Sequence, residues 1–317
     1  MRIGLMVEGQ NGLTWERWIH ILGLAERLGF PTVFRSDHYF IGPPQDSLEA
    51  YLSFALAARE TKRIRFGPLV TPVTFRSPVD VARMAAQVSL LSGGRFVMGL
   101  GAGWNDAEHR AYGIHFPAVK ERMDRLEEAL QLMQTLWRDS PATFTGRYYQ
   151  LEGADLKPKP AAGQPPILIG GSGEKRTLRL VARYANEWNC VNLAPGAYAE
   201  KVAVLERHCE AEDRDPSTIA RSMMTFAVLG PDEETLDRGT RRLMGMWGAR
   251  EGMAPAEYRA GMRQRGLLAG GTDEIVDTLG KLADEGLEEI DFQHFDFDDD
   301  TVPQYIAADL MPQVRDL

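Results

Sequence analysis

The apolar residues of this chain alternate between two patterns. Short continuous runs, beginning with Ile3 to Val7, read as strands buried on both faces. The stretches between them carry apolar residues at helical spacing. The first helix is predicted over 14–28, with Trp18, Ile21, Leu22 and Ala25 on one face. Thr14 is its N-cap and Gly29 its stop, and Arg17 stands where a capping box would need Glu. A strand at 32–34 follows, then a helix over 47–61, a strand over 64–70, a helix over 78–91 opened by Pro78, and a strand over 96–100. The alternation continues with a long amphipathic helix over 119–137, a strand over 167–169, a helix over 175–184 and a strand over 188–191. Last come helices over 198–212 and 232–247 around a strand over 223–229, a helix over 272–285 capped by Thr272, a strand over 290–295 and a short terminal helix.

Strands alternating with helices imply an α/β fold with a parallel sheet and right-handed crossovers. The eight strand-like runs are enough to close a (β/α)₈ TIM barrel, and a doubly wound open sheet is the alternative. The whole chain, 1–317, reads as one barrel domain with two insertion segments, about 140–166 and about 249–271. The first contains a predicted hairpin at 143–149. Both are expected at the C-terminal face of the strands, as covers.

Composition narrows the function classes. Hydrophobic residues make up 44% and charged residues 26%, which excludes disorder as the main state. With 36 Lys and Arg against 45 Asp and Glu, the net charge is −9, so nucleic acid is not the expected partner, although a local basic pocket is compatible with it. The two cysteines, Cys190 and Cys209, are too few for a disulfide framework or a zinc cluster and read as small buried residues. No apolar run reaches the ~20 residues of a membrane span. The opening MRIGLMVEGQ carries no cleavage-type signal, and the expected location is cytoplasmic.

In a barrel the chemistry gathers where strands end. Gly170-Gly-Ser-Gly173 opens a helix and is either an anion cradle or a tight turn; it matches neither GxGxxG nor a Walker loop. Gly99-Leu-Gly-Ala-Gly103 precedes Trp104, which suits a flat ligand laid on bare backbone or a Trp packed on its own barrel. His38, at a strand end beside Asp37, is the acid–base candidate, with Asp37 able to hold its tautomer; a structural role is the alternative. His109, His115 and His208 show no partners at ligand spacing, and neither HExxH nor GxSxG occurs. A barrel isomerase or aldolase would need a buried Lys or Glu at a strand end, for which Glu8 and Lys175 are candidates.

Five segments together resemble the bacterial luciferase-like superfamily, in its branch that uses the deazaflavin coenzyme F420. They are Ser36-Asp37-His38, the run from Phe66 to Pro78, Leu91-Ser-Gly-Gly-Arg95, the run from Gly99 to Asn105, and the run from Pro166 to Lys175. The resemblance implies that the tricyclic ring lies at the strand C-termini, with its edge meeting Asp37 and His38. It implies a non-proline cis peptide at Leu69–Val70 or Val70–Thr71, so that Leu69, Val70 and Thr71 support the ring. Ala102, Gly103, Trp104 and Asn105 would line one side, and Gly170, Gly171, Ser172 and Gly173 would cradle the cofactor phosphate. Lys175 and Arg176 would face the acidic tail. His38 and Trp104 are the implied catalytic pair, as acid–base group and pocket wall. Some sugar-phosphate-oxidising relatives carry Glu where Trp104 stands, which counts against that substrate here.

The resulting expectation is hydride transfer between F420 and a small organic substrate, with no metal. The alternative is an FMN-dependent monooxygenase on the same barrel, fed by a partner reductase. A homodimer is expected from the resemblance and from apolar helices such as the one containing Met84 to Leu90.

Overall fold

The computed structural model describes residues 1–42, 46–161 and 163–317. In chain order the strands are β1 (Arg2–Val7), β2 (Thr32–Arg35), β3 (Arg65–Pro68), β4 (Thr71–Pro72), β5 (Met98–Gly101), β6 (Ala142–Thr145), β7 (Gln150–Ala154), β8 (Ile167–Gly170), β9 (Glu187–Val191), β10 (Ala220–Thr225), β11 (Val228–Leu229), β12 (Ala269–Gly270) and β13 (Glu289–His294). The principal helices are α1 (Trp15–Leu28), α2 (Ala50–Glu60), α3 (Pro78–Ser92), α4 (Asp106–Ala111), α5 (Val119–Arg138), α6 (Thr177–Tyr184), α7 (Ala197–Ala211), α8 (Glu233–Trp247), α9 (Pro255–Gln264) and α10 (Thr272–Asp284).

The main sheet runs β3-β2-β1-β13-β10-β9-β8-β5-β4, nine strands among the described residues, with every pairing parallel. β3 and β4 are two halves of one interrupted strand, divided at Leu69–Val70, where the peptide bond is cis. The first half pairs with β2 and the second with β5. A bridge between Phe66 and Phe96 joins the remaining edges and closes the barrel. Glycine makes this closure possible: a methyl group on Gly67 would fall on the Val97 carbonyl oxygen, and one on Gly99 on the Pro68 carbonyl oxygen.

Local chemistry sets the helix ends. Thr14 Oγ1 accepts from the Arg17 N–H at 3.3 Å, and Gly29 ends α1 in the left-handed conformation. At α10 the N-cap is Gly271, one residue before the predicted Thr272. Gly271 is extended, and its N–H donates to Glu274 Oε2 at 3.1 Å, which fixes the start of the helix. The helices cover the barrel through one continuous apolar layer in which Trp18, Phe54, Leu130, Leu180 and Ile275 are buried. Cys190 and Cys209 are buried free thiols.

Inside the barrel the two halves differ. Met6, Phe34, Leu69, Val97 and Leu168 form a separate apolar cluster under the strand C-termini. Toward the N-terminal ends the filling is ionic. Glu187 pairs with Arg65 at 2.8 Å and accepts from Ser222 Oγ at 2.7 Å, and Glu289 pairs with Arg2 at 2.7 Å. Asp291 is fully buried above them; burial first, then the charges of Glu289 and Glu187, raise its pKa well above the usual range. Asn189 Nδ2 donates to Ser222 Oγ at 2.9 Å and reaches Asp291 Oδ2 at 3.5 Å.

The two segments read as insertions take different places. Segment 140–166 joins the end of α5 to the start of β8, and its β6–β7 hairpin lies along α5. It therefore sits on the N-terminal side and flank of the barrel, not at the C-terminal face, because a helix-to-strand connection returns to where strands begin. In segment 249–271, α9 stands where the sequence pattern suggested loop, and β12 pairs with β11 just beyond the C-terminal end of β10. Among the described residues no helix is long and apolar enough to cross a membrane.

Candidate active site

A cleft of about 510 Å³ opens at the strand C-termini. Its floor and one wall are Met6, Leu69, Val70, Gly101, Ala102, Gly103, Gly170 and Gly171. Four of these positions are glycine, and a Cβ on Gly101 or Gly170 would fall 2.6 or 2.9 Å from the Val70 methyl groups, so these two glycines make room for Val70 on the wall. Gly171 has φ +123°, which favours glycine, and its N–H is spent on the Asn189 carbonyl at 2.9 Å. The next two backbone N–H groups, of Ser172 and Gly173, have no hydrogen-bond partner among the described residues. They stand just before α6, where the exposed Lys175 and the half-buried Arg176 add positive charge; Arg176 pairs with Asp124 at 2.7 Å.

His38 is on the cleft wall. Its Nδ1 is held by Glu108, at 2.9 Å to Oε2 and 3.1 Å to Oε1, and Nε2 has no partner among the described residues. Glu108 is almost fully buried and also accepts from the backbone N–H groups of Tyr39 at 2.6 Å and Phe40 at 3.1 Å. The neighbouring His109 places Nδ1 2.7 Å from the Asn105 carbonyl and Nε2 2.7 Å from Thr74 Oγ1. The short helix α4 thus pins the turn after β2 with one side chain and the turn after β4 with the next. Burial is the largest influence on His38 and favours the neutral ring. The hydrogen bond and charge of Glu108, with Glu8 and Asp37, outweigh it, so the imidazole pKa is raised.

Asp37 does not partner His38. Its carboxylate is buried away from the cleft, accepting from Arg76 at 2.6 and 3.1 Å and from Thr71 Oγ1 at 2.7 Å. Arg76 reaches on to Glu49 at 2.6 Å and lies over the Tyr51 ring. Thr71 is likewise a buried support and not a lining residue. Asn105 caps α4, accepting from Ala107 N–H at 3.1 Å and donating to the Phe40 carbonyl at 3.1 Å.

Of the residues singled out in the sequence, the cleft wall therefore gathers His38, Leu69, Val70, Ala102, Gly103, Trp104, Gly170 and Gly171. Asp37, Thr71 and Asn105 stand behind it, and Ser172, Gly173 and Lys175 lie beyond its rim near α6. Trp104 meets His38 edge-on, with ring centroids 5.5 Å apart.

Several lining residues were not singled out for the site: Glu8, Ser36, Asn189, Asn192, Phe226, Trp247 and Gln293. Glu8 accepts from Gln10 Nε2 at 2.7 Å and from Gln293 Nε2, and Ser36 Oγ donates to Gln10 Oε1. Glu8 stands in the sequence as a strand-end acid, and polarity at a strand end is likewise the signal carried by Gln293, Asn189 and Asn192. His294, next to Gln293, is turned to the other side of β13. It lines a small separate cavity near Arg238 and Leu243 and is held neutral, its pKa pushed down to about 4 chiefly by burial.

A cleft at the C-terminal end of a parallel barrel, with a glycine floor and a buried carboxylate behind a histidine, can hold a flat cofactor and move a proton beside it. Similar proteins carry related chemistry in their names. The chain is 31% identical over 307 residues to the F420-dependent hydroxymycolic acid dehydrogenase of Mycobacterium tuberculosis, covering 92% of this chain and 82% of that one. It is 27% identical to the F420-dependent glucose-6-phosphate dehydrogenase of Amycolatopsis mediterranei, covering 92% of each. Its fold is that of an F420-dependent secondary alcohol dehydrogenase solved with an F420–acetone adduct, with a TM-score of 0.82 over 99% of both chains at 22% identity. The family model for luciferase-like monooxygenase matches residues 1–291, and the chain belongs to that family.

Proposed function

We propose that this protein is an F420-dependent oxidoreductase that interconverts a small organic alcohol and its carbonyl compound. The observation that carries the reading is the pairing of His38 with buried Glu108 on the wall of the glycine-floored cleft. The residues present fit the cofactor: Gly101 and Gly170 admit the Val70 side chain against their backbone, which gives a flat ring an apolar wall to lie on, and the unpaired N–H groups of Ser172 and Gly173 suit its phosphate. Leu69, Val70, Ala102 and Gly103 would hold the ring, with Lys175 toward the acidic tail. The deazaflavin supplies a two-electron hydride acceptor and donor.

The chain's own part is proton transfer and positioning. With Nδ1–H donated to Glu108, the His38 lone pair on Nε2 faces the cleft and takes the hydroxyl proton as the carbinol carbon loses hydride. In the reverse direction the imidazolium returns that proton to the forming alkoxide, and Glu108 stabilises its charge. Trp104, edge-on to His38, forms a wall of the pocket beside this atom.

Equilibrium dialysis with F420 and FMN tests the assignment. Micromolar or tighter F420 binding with weaker FMN binding is expected, and a clear preference for FMN would overturn it. The reading includes a cytoplasmic enzyme whose 317 residues work as one barrel unit, and a homodimer. Ile19, Leu52, Leu90 and Leu91, exposed on the neighbouring helices α1, α2 and α3, support the dimer, which light scattering at micromolar concentration checks.

A further inference from the structure

The cleft has two chemically different regions. The glycine-rich wall comes from the ends of β3, β5 and β8. The mouth comes from Ile41, Trp104, Val191, Phe226 and Trp247, which arrive from five separate parts of the chain. Trp104 is 64% exposed and Trp247 57%, and Ile41 and Val191 are also exposed, so large apolar surface at the mouth lacks cover. Phe226 and Trp247 stack at 6.0 Å, giving one side of the mouth an aromatic face, and Trp104 beside His38 gives another. Exposed apolar surface concentrated at a concave site marks a ligand groove.

The charges point the same way. Among the described residues lining the cleft, no Lys or Arg occurs, and the ionisable groups are Glu8 and His38. Arg76 is committed to Asp37 and Glu49. A phosphorylated or carboxylate substrate seated beside His38 would be desolvated next to Glu8 without a matching cation, which is unfavourable. An uncharged alcohol whose hydroxyl meets His38 and whose hydrocarbon part covers the tryptophans satisfies every group at the mouth.

Resting on the hydride-transfer reading above, we infer that the substrate is an uncharged alcohol or its carbonyl compound with an extended apolar body, recognised by Trp104, Phe226 and Trp247, and not a sugar phosphate.

The test uses the F420-loaded protein with 2-butanol, 2-hexanol, 2-octanol and 2-decanol, and with glucose 6-phosphate as the charged comparator. Binding of the matching 2-ketones is followed separately by calorimetry, with and without F420. Ketone affinity and kcat/KM for the alcohols are expected to rise about threefold per added methylene over the first members, following burial of apolar surface. Trp247→Ser should flatten that slope; because the side chain is more than half exposed, the variant is expected to fold, and its melting curve verifies this. Ketone affinity independent of chain length, or glucose 6-phosphate bound more tightly than 2-decanone, overturns the inference. Chain-length-dependent ketone binding without alcohol oxidation supports the apolar mouth and instead removes the hydride-transfer reading.

Discussion

Glu108 and His38 are seventy residues apart in sequence and 2.9 Å apart in space, and the carboxylate that holds this imidazole is almost completely shielded from water. The pairing raises the His38 pKa, so its removal has a direction. Alcohol oxidation needs the neutral ring as base, so kcat/KM should rise with pH and level off above the His38 pKa. Carbonyl reduction should show the mirror-image profile. In Glu108→Gln the charge is lost, burial dominates, and the inflection should move to lower pH. Turnover should fall roughly 10-fold to 100-fold, at or below the lower end of what a positioned acid–base group itself contributes. His38→Ala should lose about 10² or more with a smaller change in F420 affinity. An unmoved inflection in Glu108→Gln would show that His38 is not the titrating group.

Asp37, by contrast, is a structural anion. In Asp37→Ala the Arg76 guanidinium, only 15% exposed, loses its buried partner. Breaking such a pair costs about 3 kcal/mol. Urea denaturation should show a loss of that order, while F420 affinity of the folded protein changes by less than about threefold. A stability change near zero together with a large loss of affinity would return Asp37 to the cofactor site.

His294 gives an acid-sensitive term. Its native pKa is pushed down from 6.5 to about 4, while the unfolded chain titrates near 6.5. As pH falls through that interval the unfolded state takes up the proton first. The stability present above pH 6.5 is therefore lost toward pH 4, by at most about 3 kcal/mol. His294→Gln should flatten this part of the stability curve relative to the parent, as measured by urea midpoints between pH 4 and 7. Parallel curves for the two proteins would refute it.

Asp291 acts in the opposite direction. Its native pKa lies above the unfolded value, so the unfolded chain ionises first as pH rises and stability falls. Asp291→Asn keeps the shape and removes the titration. Its melting temperature should exceed the parent's at pH 7, and the two should converge near pH 4. A lower melting temperature at pH 7 would mean that the carboxylate is needed in its ionised form.

Most of the barrel was legible because its strands are continuous apolar runs and its helices carry one apolar face; α1, α3 and α5 end within a residue or so of the predicted bounds. The helix α4 was missed because six residues, four of them charged or His, have too little periodicity to register. That miss also hid Glu108. Adjacency in sequence suggested Asp37 as the partner of His38, but in the turn after β2 Asp37 is drawn to Arg76 and Thr71, and only tertiary closure brings Glu108 to the ring. Phe226 and Trp247 were invisible for a similar reason: each looks like ordinary core in its own segment, and only the meeting of β10 with the end of α8 turns them toward the cleft. The glycine turns were readable because glycine at a strand end leaves a local signature, whereas the cis bond was implied only by the family resemblance, at Leu69–Val70 or Val70–Thr71, and lies at the first of these.

The double grip of α4 bears on how such a rim can change. Glu108 secures residues 38–40, His109 secures Thr74, and Arg76 from that second turn secures Asp37 in the first. Three rim loops therefore form one interlocked assembly. Transplanting the turn after β2 alone into another barrel would leave its fastening behind, and lengthening α4 by one residue would rotate both anchors off their partners together. Retargeting by loop exchange would have to move segments 36–41, 71–77 and 104–110 as a single graft, whereas Trp247, outside that assembly, is free to vary.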